Sequence, residues 1–478
     1  MDAAPDTLSA APGELPARRI DAAGRAHVDL PAVLALALPL IANSAVQTVL
    51  NLTDLWFIGH ISTTALAAVG SVNWLVIAVV ITLGGAGVAV QTTVAQAFGS
   101  GRRARAARSA WTGLWGTLCV APVFILVGLG GHLMLRPFSL PPAVEQAAAA
   151  FWAVRVGGAP FGVAVWGFLG FFNGISRPRT TVLITVMVTA ANMLLNDLFI
   201  FHLGFGVTGS AWASTCAQFL ALIFALGIFV SARYRREYRS HLTWRPKAPV
   251  LWRQFLLGLP MGLMGASDLI GVSLFQLMQV RLGEAAGAAT QLVMAGTAIA
   301  WLPGVGVAQA GTTLVGQSIG AGDRRWAMHV GTYVIGCVAL LMGGIGLVLA
   351  LAAPWVLPLL VNAGDAATPE VLRDATRMMW MAAAYQCFDG LNIGSSFGLR
   401  GAGDAVVPGA LVLLLSWFVF VPLAHMLTFT PGQGFIGFLP QFGFGAVGGW
   451  AAVVVYTLLL GAMLFTRWRM GVWQRIRI

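Results

Sequence analysis

From residue 30 onward the chain is a series of long apolar runs broken by short polar segments. A stretch of roughly 20 or more apolar residues is long enough to cross a bilayer as a helix. Twelve such spans are read, near 31–58, 66–98, 109–131, 143–172, 180–201, 206–232, 251–280, 287–319, 326–353, 370–398, 407–429 and 443–466. The pattern also occurs twice. Moving residues 39–106 forward by 221 positions, without a gap, sets Pro39 on Pro260 and the stretch Gln96 to Gly101 on Gln317 to Gly322. Further along, Phe172 to Ile175 faces Leu399 to Ala402, and Phe205 and Gly206 face Phe444 and Gly445. An apolar unit repeated after an even number of spans predicts an all-α membrane protein. Its twelve transmembrane helices form two six-helix lobes related by pseudo-two-fold symmetry along the membrane normal, with a substrate cleft between them.

Composition agrees with a lipid environment, since 58% of residues are hydrophobic and 9% charged, against about 25% charged in soluble proteins. The net charge of +11 does not indicate nucleic acid, because nearly all the positive residues are Arg in short segments between apolar runs. Of the 28 Lys and Arg, 23 fall in the two tails and on one set of alternate loops. This places both termini in the cytoplasm and the protein in the cytoplasmic (inner) membrane, where membrane lipids surround it. The expected division is a cytoplasmic tail over 1–28, a first lobe over 29–232, a cytoplasmic linker over 233–253, a second lobe over 254–466 and a cytoplasmic tail over 467–478. The first tail lacks the apolar core and cleavage site of a removable signal peptide. Four scattered cysteines give neither a disulfide framework nor a zinc site.

Polar side chains inside apolar spans mark surfaces that face protein or water. In the first span Asn43, Gln47 and Asp54 fall within a stripe of about 40 degrees. Amides there can serve helix packing, but an ionised Asp costs several kcal/mol unless it is paired or binds a cation. At about 1.5 Å per residue, Asn192 and Asn196 lie roughly 18 and 24 Å along the fifth span from Thr180, and Asp54 roughly 30 Å along the first. With Ser214 of the sixth span, these four can converge in the outer half of one lobe. Asp197, about 100 degrees around the helix from Asn196, belongs at the rim. In the second lobe Asp268 lies in the seventh span and Asp389 in the tenth, with Tyr385, Asn392 and Ser396 on the face of Asp389. No Lys or Arg in the core of a span is an obvious partner for these two acids, although Arg281 and Arg400 sit near span ends. Gly84, Gly85 and Gly87, and in the copy Pro303, Gly304 and Gly306, are expected to interrupt the second and eighth helices.

These residues resemble the multidrug and toxic compound extrusion transporters over nearly the whole chain after residue 30. Leu52, Thr53 and Asp54 through Gly59 to Ala68 resemble that family's first-span signature. Gln96 to Gly101 and Gln317 to Gly322 resemble its paired loops. Leu259 and Pro260 followed by Asp268, and Tyr385 to Asp389 followed by Leu399 to Gly401, are similar to the NorM-like branch. Many relatives carry Asp four residues after the first fifth-span Asn; here Asn196 stands there and Asp197 comes one place late.

The resemblance implies an antiporter that exports small organic cations or amphipathic drugs in exchange for a proton or sodium ion, without covalent chemistry, enzyme activity or a cofactor. The expected ion-coupling residues are Asp54, Asn192, Asn196 and Ser214. Asp268, Asp389, Tyr385 and Asn392 form a second cation or substrate site, and Asp268 and Asp389 would hold the metal if sodium is the coupling ion. Gln47 and Asp197 are weaker candidates, and Met261, Met264, Trp301 and Met381 are candidate adaptable walls. A monomer is expected. The rival reading, a flippase of lipid-linked saccharides or lipid II from the same superfamily, calls for about fourteen spans and a basic cleft, whereas twelve spans with mainly acidic intramembrane charges are read here.

Overall fold

The computed structural model describes residues 15–22, 24–136, 141–360 and 368–476. Two short antiparallel strands, β1 (Arg18–Ile20) and β2 (Ala26–Val28), precede the first helix. The first lobe contains α1 (Leu30–Gly59), α2 (Thr63–Leu83, Gly85–Val88 and Val90–Gly99), α3 (Arg103–Leu129), α4 (Pro142–Gly157 and Ala159–Gly174), α5 (Pro178–Asn196, continued as a π-turn over Asp197–His202) and α6 (Gly206–Phe229). The second contains α7 (Ala248–Leu282), α8 (Glu284–Gly320), α9 (Arg324–Val356), α10 (Thr368–Ala402), α11 (Val406–Leu415, a π-turn over Ser416–Phe420, and Val421–Thr428) and α12 (Gly445–Met470). Among the described residues nine helices are long and apolar enough to cross a membrane, and the bent pairs in α2 and α4 bring the number to eleven. The twelfth, α10, has 35 residues, about 52 Å at 1.5 Å per residue. It carries Glu370, Arg373, Asp374, Arg377, Asp389 and Arg400, and so is less uniformly apolar than the others.

Helices of one lobe pack mainly on each other: α5 on α1 and α6, α4 on α3 and α6, α10 on α8, α9 and α12. Between the lobes α8 meets α1 and α2, and α7 meets α2. The pseudo-two-fold is visible atom by atom at this interface. A Cβ at Gly99 would run into the Gln317 carbonyl oxygen, and one at Gly320 into the Gln96 carbonyl oxygen. The Thr92 hydroxyl donates to the Arg400 carbonyl at 2.9 Å, and the Thr313 hydroxyl to the Asn173 carbonyl at 3.1 Å. The Gln96 amide donates to the Gly401 carbonyl at 3.0 Å, and the Gln317 amide to the Gly174 carbonyl at 2.9 Å. Lipid supplies no hydrophobic drive for helix association, so close backbone approach at glycines and side-chain hydrogen bonds hold the lobes together. The repeated loop motifs are therefore the two matching halves of one contact.

Several expected boundaries change. Residues 15–22 and 24–28 are not a free polar tail: the Trp326 indole donates to the Pro16 carbonyl at 2.9 Å, and Leu15, Ala17, Ala26 and Val28 pack against the core of the second lobe. Residues 1–14 lie outside the described residues. The linker contains a short helix, Ala232–Tyr238, fixed to the first lobe by Arg103 and Arg177, whose guanidiniums reach Glu237 at 3.0 and 3.5 Å. Burial, reinforced by Glu237, pushes the Tyr238 phenol up, so it stays neutral in this anchor. The second lobe begins at Ala248 instead of 254, because α7 runs on past the expected span. At the other end α12 continues to Met470, and Trp473 is buried with its ring stacked on Trp468 at 4.7 Å.

The helix breaks follow the repeat only in part. In α2 the axis bends by 60° across the Gly84 region, where Gly85 is pressed against the Gly258 backbone of α7. Its copy α8 runs unbroken through Pro303, Gly304 and Gly306. There the glycines serve close packing, Gly304 against Met342 and Gly306 against Ile41.

Candidate functional site

In the first lobe the C-terminal half of α1 carries Asp54 against α5 and α6. The Asn196 amide donates to Asp54 Oδ1 at 2.7 Å and to Asn192 Oδ1 at 3.0 Å. The Ser214 hydroxyl reaches Asp54 Oδ2 at 3.4 Å and accepts from the Asn192 amide at 3.1 Å. Asn192, Asn196 and Ser214 are buried, and Asp54 keeps part of its surface open. The one-turn spacing of the two asparagines makes this possible, since residues four apart share a helix face. One buried acceptor, Asn196 Oδ1, has no partner among the described residues. Two turns nearer the start of α5, the Thr185 hydroxyl donates to Asn43 Oδ1 at 2.6 Å. Asn43 thus ties α1 to α5 below the acid. Gln47, on the same stripe, is exposed and joins neither network. Asp197 is also exposed, with His202 Nδ1 at 3.5 Å from its carboxylate. It stands at the start of the π-turn, one residue past the Asn196 that binds Asp54.

In the second lobe the Tyr456 hydroxyl of α12 donates to Asp268 Oδ1 at 3.1 Å and lies 2.9 Å from the Ser416 hydroxyl of α11. The Asn392 amide donates to Asp389 Oδ1 at 3.1 Å, and the Ser396 hydroxyl to Asn392 Oδ1 at 3.4 Å. Tyr385 meets Thr297 and lies within electrostatic reach of Asp389. The two acids act on each other electrostatically. Both lie deep among the helices yet are only half-buried, as side chains lining a cleft are. They have a cationic neighbour after all: Arg400, from the last turn of α10, acts on Asp268. Its Nε is buried without a hydrogen-bond partner among the described residues. Met261 and Met264 are not walls of the cleft. They are 3% and 5% exposed, and Met261 packs with Ala89, Leu257 and Ala405 where the lobes meet. Trp301 is 45% exposed and Met381 half-buried. Among the described residues no group of three or more His, Cys, Asp or Glu is gathered as a metal site, so sodium at Asp268 and Asp389 would need neutral oxygens as well.

Sequence reading missed Tyr456, Ser416 and Arg155. Tyr456 is one of only five tyrosines, and a hydroxyl in the middle of an apolar span was a usable signal. Arg155, in the fourth span, was countable as a charge inside lipid but had no visible partner; in the structure it acts on Asp54.

A family model described as MatE matches residues 39–198 and 260–426, two blocks whose starts are 221 positions apart, the interval of the internal repeat. The chain belongs to the MatE family. Among its MatE relatives, a probable multidrug resistance protein NorM of Agrobacterium fabrum is 29% identical over 439 residues, 84% of this chain and 88% of that protein. A multidrug resistance protein MdtK of Yersinia pseudotuberculosis is 26% identical, covering 86% of this chain and 91% of its own. A crystal structure of MATE in complex with MaL6 superposes with a TM-score of 0.79 at 20% identity, over 92% of this chain and 95% of that one. A MOP superfamily transporter from Pyrococcus furiosus gives 0.78 at 20% identity, over 92% and 94%. The MatE chain is thus an integral membrane protein with the two-lobed transporter fold.

Proposed function

We propose that this chain is a secondary antiporter that exports organic, cationic or amphipathic compounds in exchange for a coupling ion. The protein sits in the cytoplasmic membrane with both termini inside. Its relatives' names as multidrug resistance proteins support the substrate class. The observation that carries the mechanism is Asp54 held by Asn196 and Ser214 inside the membrane-spanning part of the first lobe. A carboxylate there that exchanges its charge changes the stability of each lobe arrangement, and a substrate cation in the cleft does the same with opposite consequence. The coupling is that difference between two states. Of the two candidate ions, the proton fits the donors better. Both Asp54 oxygens accept hydrogen bonds, so the neighbours present donors to the carboxylate where a sodium ion would need acceptor oxygens. Asp268 and Asp389, with Tyr385 and Asn392, hold the substrate cation.

Efflux of a fluorescent organic cation from cells expressing Asp54→Asn, at matched surface expression, tests this reading. Loss of gradient-dependent efflux is expected. Undiminished efflux places the coupling group elsewhere.

A further inference from the structure

The first lobe contains a second intramembrane charge besides Asp54. Arg155 lies in the last turn of the first piece of α4, Pro142–Gly157, where the helix bends by 40° before Ala159–Gly174. A helix end presents carbonyl groups that favour a cation, which accounts for an Arg at this break. At the same level α4 presses directly on α6: a Cβ at Gly158 would run into Thr215, and the Thr215 hydroxyl donates to the Val154 carbonyl at 3.5 Å. Thr215 follows Ser214, whose hydroxyl reaches Asp54 at 3.4 Å. Backbone packing therefore sets the α4 break that carries Arg155 against the part of α6 that carries Ser214; among the described residues the guanidinium and the Asp54 carboxylate form no direct ion pair, so the charge acts through its field. Among the described residues no hydrogen bond holds its guanidinium, and Asp54 is the charge it faces.

Other charges near this acid are turned elsewhere. On α1 itself, His60 bonds the Trp56 carbonyl at 2.8 Å. On α5, Arg179 stands in the first turn at the far end and Asp197 is exposed beside His202. Glu284 is in the first turn of α8. No charged side chain occurs in α2 or α6, where Cys216 is the one titratable group of α6.

We propose that Arg155 is a fixed counter-charge of Asp54, so that the coupling cation binds an acid whose field is already partly offset instead of an uncompensated one. An uncompensated carboxylate in a low-dielectric interior holds any cation too firmly to release it. A neighbouring guanidinium that is always charged weakens that grip and keeps the empty carrier neutral at this point while it reorients. Arg155 is a positioning residue in this scheme; it acts through Asp54 and not on the substrate.

The inference rests on Asp54 being the coupling acid, and one set of proteoliposome measurements separates the two ideas. Proton-gradient-driven transport of a fluorescent organic cation is measured against pH for wild type, Arg155→Gln, Arg155→Met, Arg155→Lys and Asp54→Asn. Without a fixed positive neighbour the proton binds more readily. Arg155→Gln and Arg155→Met should therefore move the pH of half-maximal transport upward by about one unit or more. Arg155→Lys, which keeps the charge, should restore the wild-type midpoint. A wild-type midpoint in both neutral variants, whatever their rate, overturns the counter-charge role, as does a Lys variant that behaves like Gln. Full coupled transport by Asp54→Asn would instead overturn the reading of Asp54 itself.

Discussion

Where the first lobe sets Asp54 among Asn192, Asn196 and Ser214, the second sets Phe275 against Phe420 and Trp450, with ring centroids 6.0 and 5.6 Å away. The 221-residue shift that superposes the sequences puts Phe275 on Asp54 and Asp268 on Gln47. Each copy thus kept one acid on its first helix, but at positions seven residues apart, about 10 Å of helix rise. The acid stands two turns earlier in the second copy, and an aromatic ring takes the place equivalent to Asp54. The lobes can share packing, glycine contacts and crossing hydrogen bonds because those depend on backbone geometry, which the repeat preserves. Their interiors diverge because a buried polar side chain needs partners from other helices. Asn196 supplies one to Asp54, whereas Tyr456 supplies one to Asp268.

That comparison makes unequal predictions for equivalent positions. The largest effect is expected at the first pair. Asp54→Asn should reduce gradient-coupled efflux at least about tenfold, which is 1.4 kcal/mol or more in the coupling term, while Phe275→Leu in the same assay leaves coupling intact. Equal losses at both positions would mean that the aromatic cluster is as functional as the acid.

The next effect should be symmetric. Gly99→Ala and Gly320→Ala each drive a methyl group into a backbone carbonyl of the other lobe, and overpacking of this kind costs about 1–3 kcal/mol. Thermal unfolding of the two purified variants should show matching decreases. If one variant melts like wild type, the two-fold contact is not shared equally.

Smaller and opposite in kind are the changes at the second-lobe acids. Asp268→Asn and Asp389→Asn should weaken the binding of cationic substrates several-fold and of neutral ones little, read as KM in transport. The smallest is Tyr456→Phe, which removes one hydrogen bond to Asp268 and leaves its charge in place, a net change of roughly 0.5 kcal/mol or about two-fold. A modest rise in KM for cations is expected, and an unchanged KM would detach Tyr456 from the Asp268 site.

Much of this was legible in the chain. Asp54, Asn192, Asn196 and Ser214 stood out because polar residues are costly in lipid, and rise per residue alone put them at matching depths. The twelve spans and the two lobes followed from apolar length and the repeat. What stayed hidden depended on contacts between distant segments. Nothing local says that Pro16 would dock on Trp326, 310 positions away, or that Arg155 of α4 would act on Asp54 of α1. Met261 was misread as a wall because composition cannot tell a lobe interface from a cleft.

The central claim is that coupling resides in the first lobe and substrate binding in the second. It is tested most directly by comparing two modes of transport in the same proteoliposomes: substrate counterflow without an ion gradient, and accumulation driven by a proton gradient. Asp54→Asn should retain counterflow and lose driven accumulation. Asp268→Asn and Asp389→Asn should lower both together, through weaker binding. Driven accumulation by Asp54→Asn, or its selective loss in a second-lobe variant that keeps counterflow, would contradict the account.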